Sequence, residues 1–562
     1  MIRTTAALCA IGGLALVPAT AVSADPAWHP PTYPSAPTAG LPSDVGIPLS
    51  LGVTSKGRAT LLYGAKKGNL YGYSRNSDKG AWGAARQWRK SAGIRPTSPL
   101  VMALGSKLTA LWTGKDGSLY TATGSQSSAS SRRGPIDGST ASPSIDRVPQ
   151  GVAYAYGRGG ASGSTVLGGP SPAQRNLRSA STIAVFAGSD APQVRSDVDA
   201  AGNQTVVWPQ DGMVMFSTRA AGSSTWSPPV ALPGSNDGPF ALSVAGDGSA
   251  VIAYQGNVVN SSVTGISPVE GTPATIPYQA EASVLLVERP SATAPFTPPQ
   301  TIYTYKPPMP VTFANVPIGV DFPSGMTAAT NGKAAVVGMV DETSSTPRLR
   351  LTRADKGQPF PEPTVVTDPY VPNQEATTWS FVGFDSAIDK RGNAVIAVGG
   401  STTQGEPDSV IASTSTTKRP AWRQGRDVAL CPKRKNSEEG VASGPSVEAS
   451  PNGGVVVGWA CGPNDEGATR GLIGVTAFDT LGPPIASFST RGARISFALG
   501  ETANYTLTAS KGSRRVRVSG RAAAGRKITR SLRLTEGQWR VTLRATLSSG
   551  NATARSKTTK VD

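Results

Sequence analysis

The chain has 562 residues, including 64 Gly and 47 Pro, with a formal net charge of +18. Its one histidine, His29, excludes a Ser-His-Asp triad in a rigid pocket and a multi-histidine zinc site. Any catalysis must then rest on carboxylates, tyrosine, arginine or a bound cation.

The N-terminus reads as an export signal over residues 1–24. Arg3 supplies a positive start, Ala6 to Val17 an apolar core, and Val22-Ser23-Ala24 the small residues that precede cleavage. The apolar run stops at Pro18, and no later segment reaches the roughly 18 apolar residues of a spanning helix. A secreted or surface-associated protein without a transmembrane segment is expected. Residues 25–43 form a Pro-rich N-terminal segment containing His29.

From 44 to 487 one unit recurs: a short strand, a glycine turn and a second apolar strand. The turn glycines are Gly57, Gly105, Gly151, Gly202, Gly248, Gly332, Gly392 and Gly453. A proline opens the first strand in seven of the eight copies: Pro48, Pro99, Pro143, Pro192, Pro239, Pro317 and Pro445. A more polar hairpin follows each copy, as in LYGYSRNSDKGAWGAARQW and VMFSTRAAGSSTWSPPVAL. Four strands per unit predict the blades of an all-β β-propeller. Eight repeats favour eight blades, with seven open if one degenerate unit packs elsewhere. The 84-residue step from Gly248 to Gly332 predicts an insertion around Asn257–Gln279 and a longer turn before Gly332. Cys431 and Cys461 remain once the signal is removed, an even number that favours one disulfide in an exported protein.

Residues 488–562 read as a small basic β-sandwich. From Arg491 to the end there are 16 Lys+Arg against 3 Asp+Glu, a balance of +13 out of +18. In QWRVTLRATL, Trp539, Val541, Leu543, Ala545 and Leu547 alternate with Arg540, Thr542, Arg544 and Thr546, giving one apolar and one cationic face. The segment resembles the small immunoglobulin-like domains that end many exported bacterial proteins. Arg515, Arg517, Arg533, Arg540 and Arg544 are the candidate contacts to anionic cell-envelope polymers, against the plainer reading of a solvated, solubilising face. Few aromatics are interleaved with these cations, which argues against nucleic acid as partner.

An aromatic follows the turn glycine by five to seven residues in six repeats: Tyr63, Trp112, Tyr156, Trp208, Tyr254 and Trp459. These six are the candidate ligand-binding platforms for a sugar. The competing and favoured reading is packing between blades, because a repeated apolar position marks the core face. Asp197-Val198-Asp199-Ala200-Ala201-Gly202-Asn203 opens like a calcium loop, but Ala201 and Trp208 stand at ligand positions, so hairpin-turn chemistry is the better account. No metal and no cofactor is expected, and a monomer is.

The turns Asn76-Ser77-Asp78-Lys79-Gly80-Ala81-Trp82 and Gly222-Ser223-Ser224-Thr225-Trp226 are near-copies of the Asp box. On these residues the repeat resembles the blades of sialidase-like and lectin-like propellers. The box is incomplete in every copy and is a folding feature remote from any active site. The resemblance therefore implies a fold, and no active-site role passes to a numbered residue. The expectation is a non-catalytic binding or scaffold protein, with glycans among the candidate ligands. The alternative is a divergent glycoside hydrolase, which requires clustered carboxylates and arginine over the propeller axis.

Overall fold

The computed structural model describes residues 26–562 except 32–48, 55, 66–67, 78–79, 91, 95–98, 106, 138–139, 149–150, 173–179, 267–272, 306–311, 314–315, 318–324, 342–347, 368–378, 403–408, 424–425, 431–439, 443, 451–452, 464–471 and 549–550. The expected export signal, the expected boundary at 43/44 and Cys431 lie outside the described residues.

Among the described residues the longer regular elements are all strands, in keeping with a chain punctuated by Gly and Pro. Eight antiparallel sheets succeed one another before Asp479. Their first strands are Leu49–Val53, Leu100–Leu104, Thr140–Val148, Arg195–Val198, Ser235–Val244, Met326–Thr330, Trp379–Ile388 and Ser446–Ala449. Each of these lies against the next, and the eighth returns to the first. That closed ring is a β-propeller, with the first strands lining its axis.

Apolar seams between sheets hold the ring together. Tyr63 packs with Leu61 against Val456 and Ile473, joining the first sheet to the eighth. Trp112 lies among Leu62, Leu70 and Trp88, which joins the second to the first. Where the turn between the first and second strands goes left-handed it needs glycine: Gly248 and Gly392 both have φ of +82°. A Cβ on Gly248 would also meet the Ala292 nitrogen at 2.6 Å.

The long step after Gly248 is a hairpin. Strands Ala250–Ile266 and Pro273–Arg289 stay paired out to Ile266↔Pro273, well past the neighbouring strands of their sheet. A short hairpin, Thr312–Phe313 with Val316–Pro317, follows before the sixth sheet.

The Pro-rich N-terminal segment is not a separate piece. Ala27 pairs with Asp479 and Trp28 with Phe478, so it supplies the outer strand of the eighth sheet. The ring is thus closed by residues from both ends of the propeller sequence.

The C-terminal sandwich begins at Ile485, a few residues before the expected 488, because the Ile485–Arg491 strand pairs with Arg494–Leu499. Its sheets are Ile485–Arg491, Arg494–Leu499, Ile528–Ser531 on one side and Arg514–Ala522, Ala503–Lys511, Gly537–Thr546, Ala552–Val561 on the other. Phe497, Tyr505, Leu507, Trp539, Val541 and Leu543 fill the space between them. The alternation read in QWRVTLRATL is the one observed: Trp539, Val541, Leu543, Ala545 and Leu547 are buried and Arg540 and Arg544 exposed.

Candidate functional site

The six aromatic candidates are not open to a ligand. Tyr63, Trp112, Trp208, Tyr254 and Trp459 are 0 % exposed and Tyr156 is 3 % exposed. Each sits on the second strand of its sheet and fills a seam with a neighbouring sheet. A stacking platform needs a free ring face, so the packing reading replaces the platform reading. Two of the polar edges are met internally: Trp112 Nε1 donates to the Ala92 carbonyl at 2.9 Å and the Tyr254 hydroxyl to that of Pro233 at 2.9 Å.

A second repeated element went unread in the sequence. Arg75, Arg219 and Arg289 end the third strand of their sheets, and an aromatic seven residues later folds back over each guanidinium. The separations are 5.5 Å for Arg75–Trp82, 4.8 Å for Arg219–Trp226 and 5.2 Å for Arg289–Phe296. Arg353 and Phe360 repeat the spacing in the sixth sheet. These arginines are buried, and two of them bridge sheets: Arg289 reaches Thr205 at 3.1 Å, and Arg353 reaches the Gly392 carbonyl at 2.7 Å. Trp82 and Trp226 are the tryptophans of the Asp-box-like turns, so in those turns the ring is held against an arginine of the preceding strand.

The calcium-like turn is a hairpin turn. Asp199 Oδ1 accepts N–H from Ala201, Gly202 and Asn203 at 2.8–2.9 Å, and Oδ2 accepts from Asn203 Nδ2. Asp389 does the same with Arg391 and Asn393.

Two polar surfaces remain. The first is the axial channel. Asp146, Asp197, Asp385 and Glu448 stand on the first strands of sheets three, four, seven and eight, and so face one another across the ring. All four are half-buried, and Arg195 stands on the same strand as Asp197. Asp197 accepts N–H from Val198 at 2.7 Å and from Val244 of the next sheet at 2.6 Å. Asp385 likewise takes Ser386 and Val447, both at 2.8 Å. These two carboxylates stitch neighbouring sheets as well as lining the channel.

Burial pushes Glu448 up to about 8, with the charges of Asp385 and Asp197 adding to the effect. Burial also raises Asp385, to about 6, against the downward pull of its N–H donors and Arg195. Asp146 is raised by burial and then by Asp197 and Glu448, and its Oδ2 is a buried oxygen without a hydrogen bond. The channel therefore holds a carboxyl that keeps its proton near neutrality beside one that does not.

The second surface is the outer face of the four-stranded C-terminal sheet. Register places Arg515, Arg517 and Arg521 opposite Ser510, Thr508 and Asn504. Arg540 and Arg544 lie on the same face, opposite Ser510 and Thr506. All five arginines are exposed. Four of the five expected polymer contacts thus share one face. Arg533 does not, because it follows the Ile528–Ser531 strand of the other sheet, and Arg521 takes its place. Alternation pointed to Arg540 and Arg544, whereas Arg521 needed the pairing register.

No family model matches the sequence, and no curated protein is similar to it. Among solved structures, the chain is similar to the Dos1 propeller at 8 % identity, covering 81 % of this chain and 95 % of that one, with a TM-score of 0.43. It is similar to the six-bladed Aleuria aurantia fucose-recognising lectin at 10 % identity, 70 % and 98 % coverage and a TM-score of 0.35. AofleA from Arthrobotrys oligospora gives 8 % identity, 71 % and 90 % coverage and a TM-score of 0.33. At these values no ligand or activity passes to this chain, and the propeller assignment rests on the closed ring of sheets.

Proposed function

We propose that this is an exported, non-catalytic binding protein. An eight-bladed propeller presents a ligand surface, and the C-terminal sandwich holds the protein on anionic cell-envelope polymers. The observation that carries the reading is the single sheet face with five exposed arginines and no acidic residue on its four strands. Uncompensated like charges on one face repel each other, and a polyanion relieves that repulsion. The test is co-sedimentation of the mature protein with isolated envelope material at low and high salt. Salt-sensitive binding that falls when Arg515, Arg517, Arg521, Arg540 and Arg544 are changed to Gln supports the reading. Binding indifferent to both overturns it.

A second reading rests on the channel carboxylates. A protonated Glu448 and an ionised Asp385 are the pairing that glycoside cleavage uses as acid and nucleophile or base. Turnover of a chromogenic glycoside that is lost in both Glu448→Gln and Asp385→Asn would make the protein a hydrolase. No turnover across a broad glycoside panel removes this reading.

A further inference from the structure

Building on the reading that the C-terminal sheet holds an anionic polymer, we propose that the ligand is an extended chain of repeated phosphate groups. It lies along the Ala503–Lys511 strand, between two columns of arginine.

Strand register defines the geometry. Arg515, Arg517 and Arg521 form one column on the Arg514–Ala522 strand, and Arg540 and Arg544 form the other on the Gly537–Thr546 strand. The Ala503–Lys511 strand runs between them, so the columns stand two strand spacings apart, about 10 Å. Alternate residues within a column, such as Arg515 and Arg517, are about 7 Å apart. The floor is uncharged: Asn504, Thr506, Thr508 and Ser510 project on this face, with Thr506 and Ser510 half-buried between the cations. Thr506 and Ser519 exchange a hydrogen bond of 3.0 Å, and Thr542 and Ser556 one of 2.8 Å, which holds the floor level.

A linear chain laid in this strip meets guanidinium groups from both sides and hydroxyls from below. Guanidinium forks match the paired oxygens of phosphate. The strip carries no aromatic side chain: outward positions on the four strands are Arg, Lys, Ser, Thr, Asn, Gln and Ala. Nucleobases and sugar rings therefore find nothing to stack on. Lys560 on the same face is bridged to Asp562 at 2.8 Å, which leaves the five arginines as the uncompensated set.

The test uses the full mature chain and short linear inorganic polyphosphate as probe, with affinity read by calorimetry at low salt. Two variants remove equal charge. One changes Arg515, Arg517, Arg521, Arg540 and Arg544 to Gln. The other changes Arg491, Arg494, Arg526, Lys527 and Arg533, all exposed and off this face. The expected result is an affinity loss of roughly 1,000-fold or more for the first, at about 1 kcal/mol per cation, and a small loss for the second, with the melting temperature of each confirming the fold. Equal losses overturn the strip while leaving general polyanion binding intact. A wild-type protein that binds no polyanion overturns the underlying reading instead. A single-stranded oligonucleotide of equal phosphate number that binds far tighter than polyphosphate overturns the proposal by showing that bases are read.

Discussion

Replacing His29 by Ala tests how three parts of the molecule are joined. His29 Nε2 lies 2.8 Å from Asp479 Oδ1, at the end of the eighth sheet, and Nδ1 lies 2.7 Å from Glu501 Oε2 of the sandwich. The His29 backbone is bonded to the same sheet, through its N–H to the Ala477 carbonyl and its carbonyl to the Thr476 hydroxyl. Burial by itself would lower the pKa of the ring, but the hydrogen bonds and charges of Asp479 and Glu501 outweigh it and raise the value from 6.5 to about 10. At neutral pH the ring is an imidazolium between two carboxylates. Its removal strands those carboxylates, with side chains only 6 % and 13 % exposed, and costs about 3–5 kcal/mol. Asp479 keeps the Leu481 N–H as a partner, which places the cost toward the lower end. Because the folded pKa is raised, the stabilisation is complete below pH 6.5 and disappears as pH rises through about 10. Calorimetry of wild type and His29→Ala between pH 6 and 10.5 reads this directly. The variant should melt lower at pH 6–7, and the two curves should converge toward pH 10. A melting temperature unchanged by the substitution, or a gap constant across that range, would refute the argument.

Four further outcomes are expected. Trp112→Ala empties a seam between the first two sheets and should cost about 3–5 kcal/mol in chemical denaturation. Arg219→Met removes the bond to Gln204 at 2.6 Å and the contact under Trp226, so stability should fall by about 1–3 kcal/mol. Glu448 has a folded pKa raised to about 8, so stability drains away as pH rises from about 4.5 to about 8. Glu448→Gln should therefore raise the melting temperature at pH 8 and change little at pH 4. We also propose that Cys431 pairs with the buried Cys461, so thiol titration of the unfolded, unreduced mature protein should find no free thiol.

The repeat was legible because turn chemistry and apolar strands recur at near-constant spacing. The same signal correctly marked the Asn257–Gln279 insertion. The arginine-over-aromatic unit was missed because its partners lie on either side of a turn, where neither the two-residue nor the helical period applies. The role of His29 was equally hidden: a Pro-rich segment gave no hint that residues 450 positions apart would meet. The channel carboxylates sit on different sheets, each isolated in its own repeat, and only ring closure brings them together. Arg533 misled for a related reason, since charge density along the sequence does not say which of two packed sheets a residue joins.

The strand Ala27–Trp28 also orders events in time. It precedes all eight first strands of the ring in the sequence, yet its partner, Phe478–Asp479, follows them all. Bringing such ends together costs about 5 kcal/mol in chain entropy, a toll that local contacts cannot repay until every intervening sheet is stacked. Until the last sheet docks on the first, any sheets already formed make an open arc whose two terminal sheets each lack a neighbour. Rapid folding after the whole chain has emerged is the route that keeps those raw edges from pairing with another molecule.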